Sequence, residues 1–324
     1  MTQPPAHLPP VLLVGWGKMG GAMLDGWLAR GLDAAVVVEP LGGRVHPDPR
    51  VTVVADAAAI PAGFAPAATV LAIKPQQAAE ALPGYARFAG RTVFVSIMAG
   101  RTAGSLRATL GPDAAIVRAM PNTPAAIGQG FTAAHAAPTV SDAQHALADA
   151  LLAAVGEVAW VEAEDALDAV TAVSGGGPAY VFLLAEVLEA AAIEQGLPPA
   201  LARRMARATV SGSGALLAAS AADAAELRRN VTSPKGTTER ALAELMAPEA
   251  WPAAMSRAIA AATARSRELA ETFDLPIYSP GEFERQTLSE ALAPSRFSRF
   301  SQLFPERYDR MKAFIEKNGV GTRM

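Results

Sequence analysis

Three glycines near the start of the chain have the spacing of a phosphate-binding turn. In "VLLVGWGKMGGAMLDGWLARG", Gly15, Gly17 and Gly20 follow an apolar run and open a helix-like segment. Gly15 permits a tight turn, Gly17 lets a pyrophosphate approach the backbone, and Gly20 lets helix and strand pack closely. The helix start adds free N–H groups and the positive end of its dipole. Glu39, nineteen residues after Gly20, ends the next apolar run. A carboxylate there accepts ribose hydroxyls and repels the extra phosphate of NADP, whereas Arg44 offers that phosphate a partner. Whether the cofactor is NADH or NADPH therefore stays open. Two further runs, "LAIKPQ" and "SIMAG", end where open α/β sheets bind ligands, placing Lys74-Pro75 and Met98-Ala99-Gly100 beside the same site.

A second constellation lies in "NVTSPKGTTERALAELM". Ser233-Pro234 sets a turn, Gly236 frees the backbone, and Thr237-Thr238 open a helix whose first N–H groups suit a small carboxylate. The Thr238 hydroxyl is placed to hydrogen-bond a reacting nitrogen and help with its proton. A capped helix start would use the same residues. Other chemistries have little to work with. There is no cysteine, and His7, His46, His135 and His145 are scattered without ligand spacing, so no metal site is expected. A formal net charge of -3 provides no basic field for nucleic acid.

The elements that must hold these residues follow from periodicity. Short apolar runs at 11–15, 34–39, 51–55, 69–74, 91–97, 114–120 and 157–162 alternate with helix-length segments, a βαβ rhythm that predicts a mostly parallel sheet. From residue 164 to 269 only helical periodicity remains, with breaks expected at 196–198, at 211–214 and in the loop 230–238. Within it, "SGGGPAYVFLLAEVLEAA" (174–191) raises a local difficulty. Three glycines and a proline disfavour a helix by about 1 and 3 kcal/mol per residue, respectively. If the helix begins at Gly175, its bare first turn allows close approach of a ligand or of another helix. Residues 270–324 turn alanine-poor and aromatic-rich, marking an atypical C-terminal extension. "MTQPPAHLPP" lacks the features of a secretion signal, and Glu186 and Glu189 interrupt the most apolar segment. Neither a membrane span nor export is expected, and the cytoplasm is the expected setting.

With these motifs assembled, the chain resembles the pyrroline-5-carboxylate reductases through "GWGKMG", "AIKPQ", "SIMAG", "RAMPNTPAAIGQG", "DAVTAVSGGGPAY" and "NVTSPKGTT", which are spread in order over residues 11–269. The resemblance implies a Rossmann NAD(P)-binding domain (1–163) and an all-helical substrate and dimerisation domain (164–269). It also implies a homodimer able to assemble further, and reduction of 1-pyrroline-5-carboxylate to L-proline by NADPH or NADH. By the same resemblance, Gly15, Trp16, Gly17, Lys18, Met19, Gly20, Ala72, Ile73, Lys74, Pro75, Met98, Ala99, Gly100 and Asn122 line the cofactor. Glu164, Asn230, Ser233, Gly236, Thr237 and Thr238 meet the substrate. Gly176 and Lys235 depart from the family pattern, which has serine and glycine there. Another NAD(P)-dependent imine or 3-hydroxyacid reductase, or a non-catalytic dinucleotide-binding protein, are the competing readings.

Overall fold

The computed structural model describes residues 7–41 and 43–274. Among the described residues eight strands form one sheet: β1 (Val11–Val14), β2 (Ala35–Val38), β3 (Val51–Val54), β4 (Ala68–Leu71), β5 (Val93–Ser96), β6 (Ala115–Met120), β7 (Gly130–Ala136) and β8 (Gly156–Trp160). Their order is β3-β2-β1-β4-β5-β6-β7-β8. Strands β1 to β6 are mutually parallel, in the order that places a topological switch point between β1 and β4. The C-terminal ends of β1 and β4 diverge there, and the glycine turn follows β1.

Each central strand is buried on both faces, which accounts for near-continuous apolar runs such as "VLLV" and "AVVV". Val11 and Leu13 point into one core layer with Met23, Leu24 and Trp27 of α1 (Lys18–Ala29). Leu12 and Val14 point into the other, with Leu82, Tyr85 and Phe88 from the segment after α2 (Ala78–Ala81) and with Leu106 and Leu110 of α3 (Ala103–Leu110). The buried Trp27 indole N–H donates to the Leu151 carbonyl at 2.9 Å, fixing α1 against α4 (Asp142–Leu152).

Strand β7 has no counterpart among the apolar runs of the sequence. It pairs antiparallel with β6 and parallel with β8. "GFTAAHA" is too rich in small residues to read as a strand, and its place is set by pairing with β6 and by packing.

Beyond the sheet the described chain is helical: α5 (Ala166–Val170), a π-helical turn (Thr171–Gly175), α6 (Gly177–Glu194), α7 (Pro199–Ala219), α8 (Ala224–Asn230), α9 (Thr237–Leu245) and α10 (Trp251–Asp274). Helix α10 returns to the start of this region, where the buried Ser266 hydroxyl donates to Asp168 Oδ1 at 2.6 Å. The part of the expected extension from 275 onward lies outside the described residues.

Two expectations are corrected here. Helix α7 runs unbroken through Ser211–Gly214, carried by its alanine- and leucine-rich turns despite two glycines. Gly175 does not begin a helix. The helical path is continuous from Ala166 to Glu194, and the glycines lie in its wide turn. The Gly176 N–H donates to Thr171 O at 2.9 Å, five residues back. Such a turn accommodates Pro178, which has no N–H to donate. The Ala172 carbonyl accepts the Tyr180 hydroxyl at 2.9 Å. By length and mean hydropathy alone, Ala166–Glu194 is long and apolar enough to cross a membrane, a test that helices of soluble proteins also pass. None of α6 is buried within this chain, and Val181, Phe182, Leu183 and Val187 are exposed.

Candidate functional site: a dinucleotide cradle and an exposed helix start

The three glycines of the first turn have distinct physical requirements. Gly15 has φ +98°, and a Cβ there would lie 2.8 Å from the Ala72 carbonyl oxygen. A Cβ on Gly20 would run into the Gly15 carbonyl oxygen. Both positions therefore hold β1, α1 and the end of β4 in close contact. Gly17 is different: a Cβ would meet nothing within 4 Å. It is the N-cap of α1 and makes no side-chain capping bond, so the helix start faces open space. A pyrophosphate fits this arrangement, because N–H groups converge where no side chain intervenes.

The surrounding loops complete the cradle. The chain after β4 turns through Lys74-Pro75, where the Lys74 N–H donates to Gln77 Oε1 at 3.2 Å. Arg101, buried just beyond Gly100, donates to the Pro75 carbonyl through Nε at 3.2 Å and Nη2 at 2.9 Å. It thereby ties the loop after β4 to the loop after β5. The sequence reading missed Arg101, although an arginine directly after "SIMAG" marks the position. Met98 is buried, and Gly100 takes φ +73° to turn the chain.

Glu39 is only 8% exposed. Its Oε2 accepts the Trp16 N–H and its Oε1 the Leu41 N–H, both at 3.2 Å. Arg44 Nη1 lies 3.8 Å from Glu39 Oε2 and donates to the Trp16 carbonyl at 3.1 Å. The Arg44 guanidinium stands 4.1 Å from the centre of the Trp16 ring. A cavity of about 470 Å³ lies alongside, lined by Trp16, Gly17, Lys18, Gly21, Asp25 and Arg44, among others.

The far end of the sheet meets the helical region. Asn122 Oδ1 accepts the Phe131 N–H at 2.9 Å, and its Nδ2 donates to Ser174 Oγ at 3.1 Å. A Cβ on Gly175 would lie 2.7 Å from Met120 Cε, the tip of a flexible side chain at the end of β6 that could shift to admit it. Glu164 Oε1 accepts the Ala103 N–H at 2.7 Å and Arg118 Nη1 at 2.9 Å. In this chain its carboxylate therefore binds the start of α3 to β6.

Asn230 ends α8, and Thr237-Thr238 begin α9, as the sequence predicted. Between them Lys235 has φ +62°, the conformation for which the family's glycine is suited, and its N–H donates to Glu239 Oε2 at 2.6 Å. A Cβ on Gly236 would lie 2.9 Å from the Ser233 carbonyl oxygen. Asn230, Ser233, Thr237 and Thr238 are exposed, and among the described residues the hydrogen bonds of this loop are all local. One chain thus ties Glu39 to the glycine turn, sets Ala72 and Ile73 against Gly15, and presents Asn230 to Thr238 outward.

Comparison with known proteins accounts for both halves. Residues 164–269 match the family model described as pyrroline-5-carboxylate reductase dimerisation. The pyrroline-5-carboxylate reductase of Pseudomonas aeruginosa is 38% identical over 276 residues, spanning 81% of this chain and 97% of that protein. The structure of a pyrroline-5-carboxylate reductase from Coxiella burnetii superposes with a TM-score of 0.72 at 31% identity, over 80% of this chain and 98% of that one. That of the Plasmodium falciparum pyrroline carboxylate reductase, with NADP bound, gives a TM-score of 0.69 at 25% identity, over 81% and 98%. With the dinucleotide cradle and the helical region both accounted for along one continuous match, the chain belongs to the pyrroline-5-carboxylate reductase family.

Proposed function

We propose that this protein reduces 1-pyrroline-5-carboxylate to L-proline, the last step of proline biosynthesis, with NADPH or NADH, as a homodimer in the cytoplasm. The observation that carries the reading is the near-complete coverage of the Pseudomonas relative together with an intact cradle at Gly15, Gly17 and Gly20. The bound dinucleotide supplies the hydride that reduces the C=N carbon, and the ring nitrogen takes up a proton.

The chain's own residues bind and orient. In this assignment 1–163 is the cofactor domain and 164–269 the substrate and dimerisation domain, with 270–324 as an extension. The open N-terminus of α1 holds the pyrophosphate, and the loops at Ala72–Pro75 and Met98–Gly100, with Asn122, line the nicotinamide half. The start of α9 receives the substrate carboxylate on its N–H groups, with Asn230, Ser233, Gly236 and Thr237 around it. The Thr238 hydroxyl hydrogen-bonds the ring nitrogen. Glu164 borders the same end while its Oε1 stays committed to Ala103 and Arg118. The exposed apolar row of α6 is covered by a second copy, which brings the outward-facing loop of one subunit to the cradle of the other.

Steady-state assays with 1-pyrroline-5-carboxylate and each nicotinamide test the reading. Turnover is expected with this cyclic imine and none with a 3-hydroxyacid. Thr238→Ala should lower kcat by about 100-fold or more while cofactor affinity holds. Turnover of the hydroxyacid alone, or an unchanged kcat in the variant, would assign the site otherwise.

A further inference from the structure

Two side chains meet where the sheet gives way to the helical region. Asn122 follows the end of β6 by two residues, at the C-terminal edge where open α/β sheets bind ligands. Its carboxamide has one orientation that satisfies its neighbours. The Phe131 N–H can only donate, so the atom 2.9 Å from it is Oδ1, and Nδ2 faces Ser174 Oγ at 3.1 Å. Since Nδ2 can only donate, Ser174 is the acceptor. Ser174 lies in a helical path, where a hydroxyl ordinarily bonds back to a carbonyl one turn earlier. Thr171 does so, donating to the Leu167 carbonyl at 2.7 Å. The Ser174 hydroxyl, in the wide turn Thr171–Gly175, meets a group 52 residues away in the chain. Widened turns of this kind recur at functional sites. Met120 Cε reaches the same turn beside Gly175, so the end of β6 and the wide turn touch at two points. The carboxamide is thus held from both ends, by β7 through Oδ1 and by the helical region through Nδ2. With the Phe131 bond alone it could swing, and its second Nδ2 proton would have no fixed direction.

We propose that Ser174 is a positioning residue: by accepting from Nδ2 it fixes the Asn122 carboxamide, and the fixed carboxamide orients the nicotinamide end of the dinucleotide for hydride transfer. The assignment rests on the reading of Asn122 as a cofactor-lining residue of an NAD(P)H-dependent reductase.

NMR of the full chain with isotope-labelled asparagine tests the clamp without any cofactor. Ser174→Ala should speed exchange of the Asn122 side-chain amide protons with water by about 10-fold or more, and unaltered exchange would overturn the proposal. In steady-state assays Ser174→Ala should lower kcat by about 10-fold, while the Kd values for NADP+ and NAD+ from titration calorimetry hold within about 2-fold. Asn122→Ala should lower kcat by a similar factor, and adding Ser174→Ala to it should cost no more than about 2-fold further. Losses that multiply, or a loss carried by dinucleotide affinity alone, would overturn the positioning role. Wild-type turnover of 1-pyrroline-5-carboxylate with an unchanged kcat in Ser174→Ala would sink the role of Ser174 and leave the enzymatic reading intact. No wild-type turnover, with amide exchange still sensitive to Ser174, would do the reverse.

Discussion

Arg118 Nη1 stands 2.9 Å from Glu164 Oε1, across the junction between the sheet and the first helical turns that follow it. Arg118 is 9% exposed, and the same carboxylate oxygen takes the Ala103 N–H. Glu164→Ala would leave a buried guanidinium and a helix-start N–H without their acceptor. It should destabilise the chain by about 3 kcal/mol in urea unfolding. The double variant Arg118→Met, Glu164→Gln should lose less than Glu164→Ala alone. Additive losses would show that the pair is not coupled.

Gly15 and Gly17 should fail in different ways. Gly15→Ala places a Cβ against the Ala72 carbonyl at a positive φ, and should cost about 2 kcal/mol of stability. Gly17→Ala meets no protein atom and should unfold within about 0.5 kcal/mol of wild type. Its dinucleotide Kd should nonetheless rise by about 10-fold or more, because the added methyl group occupies the approach to the helix start. Titration calorimetry beside urea melts separates the two effects.

Lys235 is the one non-glycine residue with positive φ among those described. Lys235→Gly should stabilise the chain by about 0.5–1 kcal/mol, the relief of left-handed strain less the added freedom of the unfolded glycine. Lys235→Ala should give no such gain. Denaturant midpoints at matched protein concentration measure both.

The Asp48 carboxyl is held at about 2 by its side-chain and backbone hydrogen bonds with Arg50. A carboxyl lowered on folding contributes stability that is full above its unfolded value near 4 and is lost as pH falls towards 2. Asp48→Asn should therefore flatten the acid side of the stability profile between about pH 4 and 2, with its largest effect at neutral pH. An NMR titration placing the Asp48 carboxyl near its ordinary value would contradict the assignment.

Every strand but β7 matched an apolar run, and β1, β2, β4 and β5 were legible because burial on both faces selects apolar residues so strongly that periodicity is hardly needed. Gly15 and Gly20 were legible because a Cβ at either would strike the backbone, and Gly17 because it completes their spacing at the open helix start. Strand β7 was not, since alanine, glycine and histidine carry no strand signature and its position comes from pairing with β6. The break expected at Ser211–Gly214 gave glycine too much weight against the helix-forming turns around it. Arg101 on Pro75 and Arg118 on Glu164 were out of reach for another reason: each contact joins loops or elements 26 and 46 residues apart, a separation that no local spacing encodes. Glu39 was correctly located, but its engagement with the Trp16 and Leu41 N–H groups depends on a turn whose geometry the sequence does not specify.

The wide turn at Thr171–Gly175 also acts as a phase setting. One residue more than an α-helical turn advances everything after it by about 100° in azimuth and about 1.5 Å along the axis. The row containing Leu183 and Val187 therefore faces where it does because of that additional residue. Deleting a single glycine there would rotate the row away from any surface shaped to receive it, with no apolar residue removed.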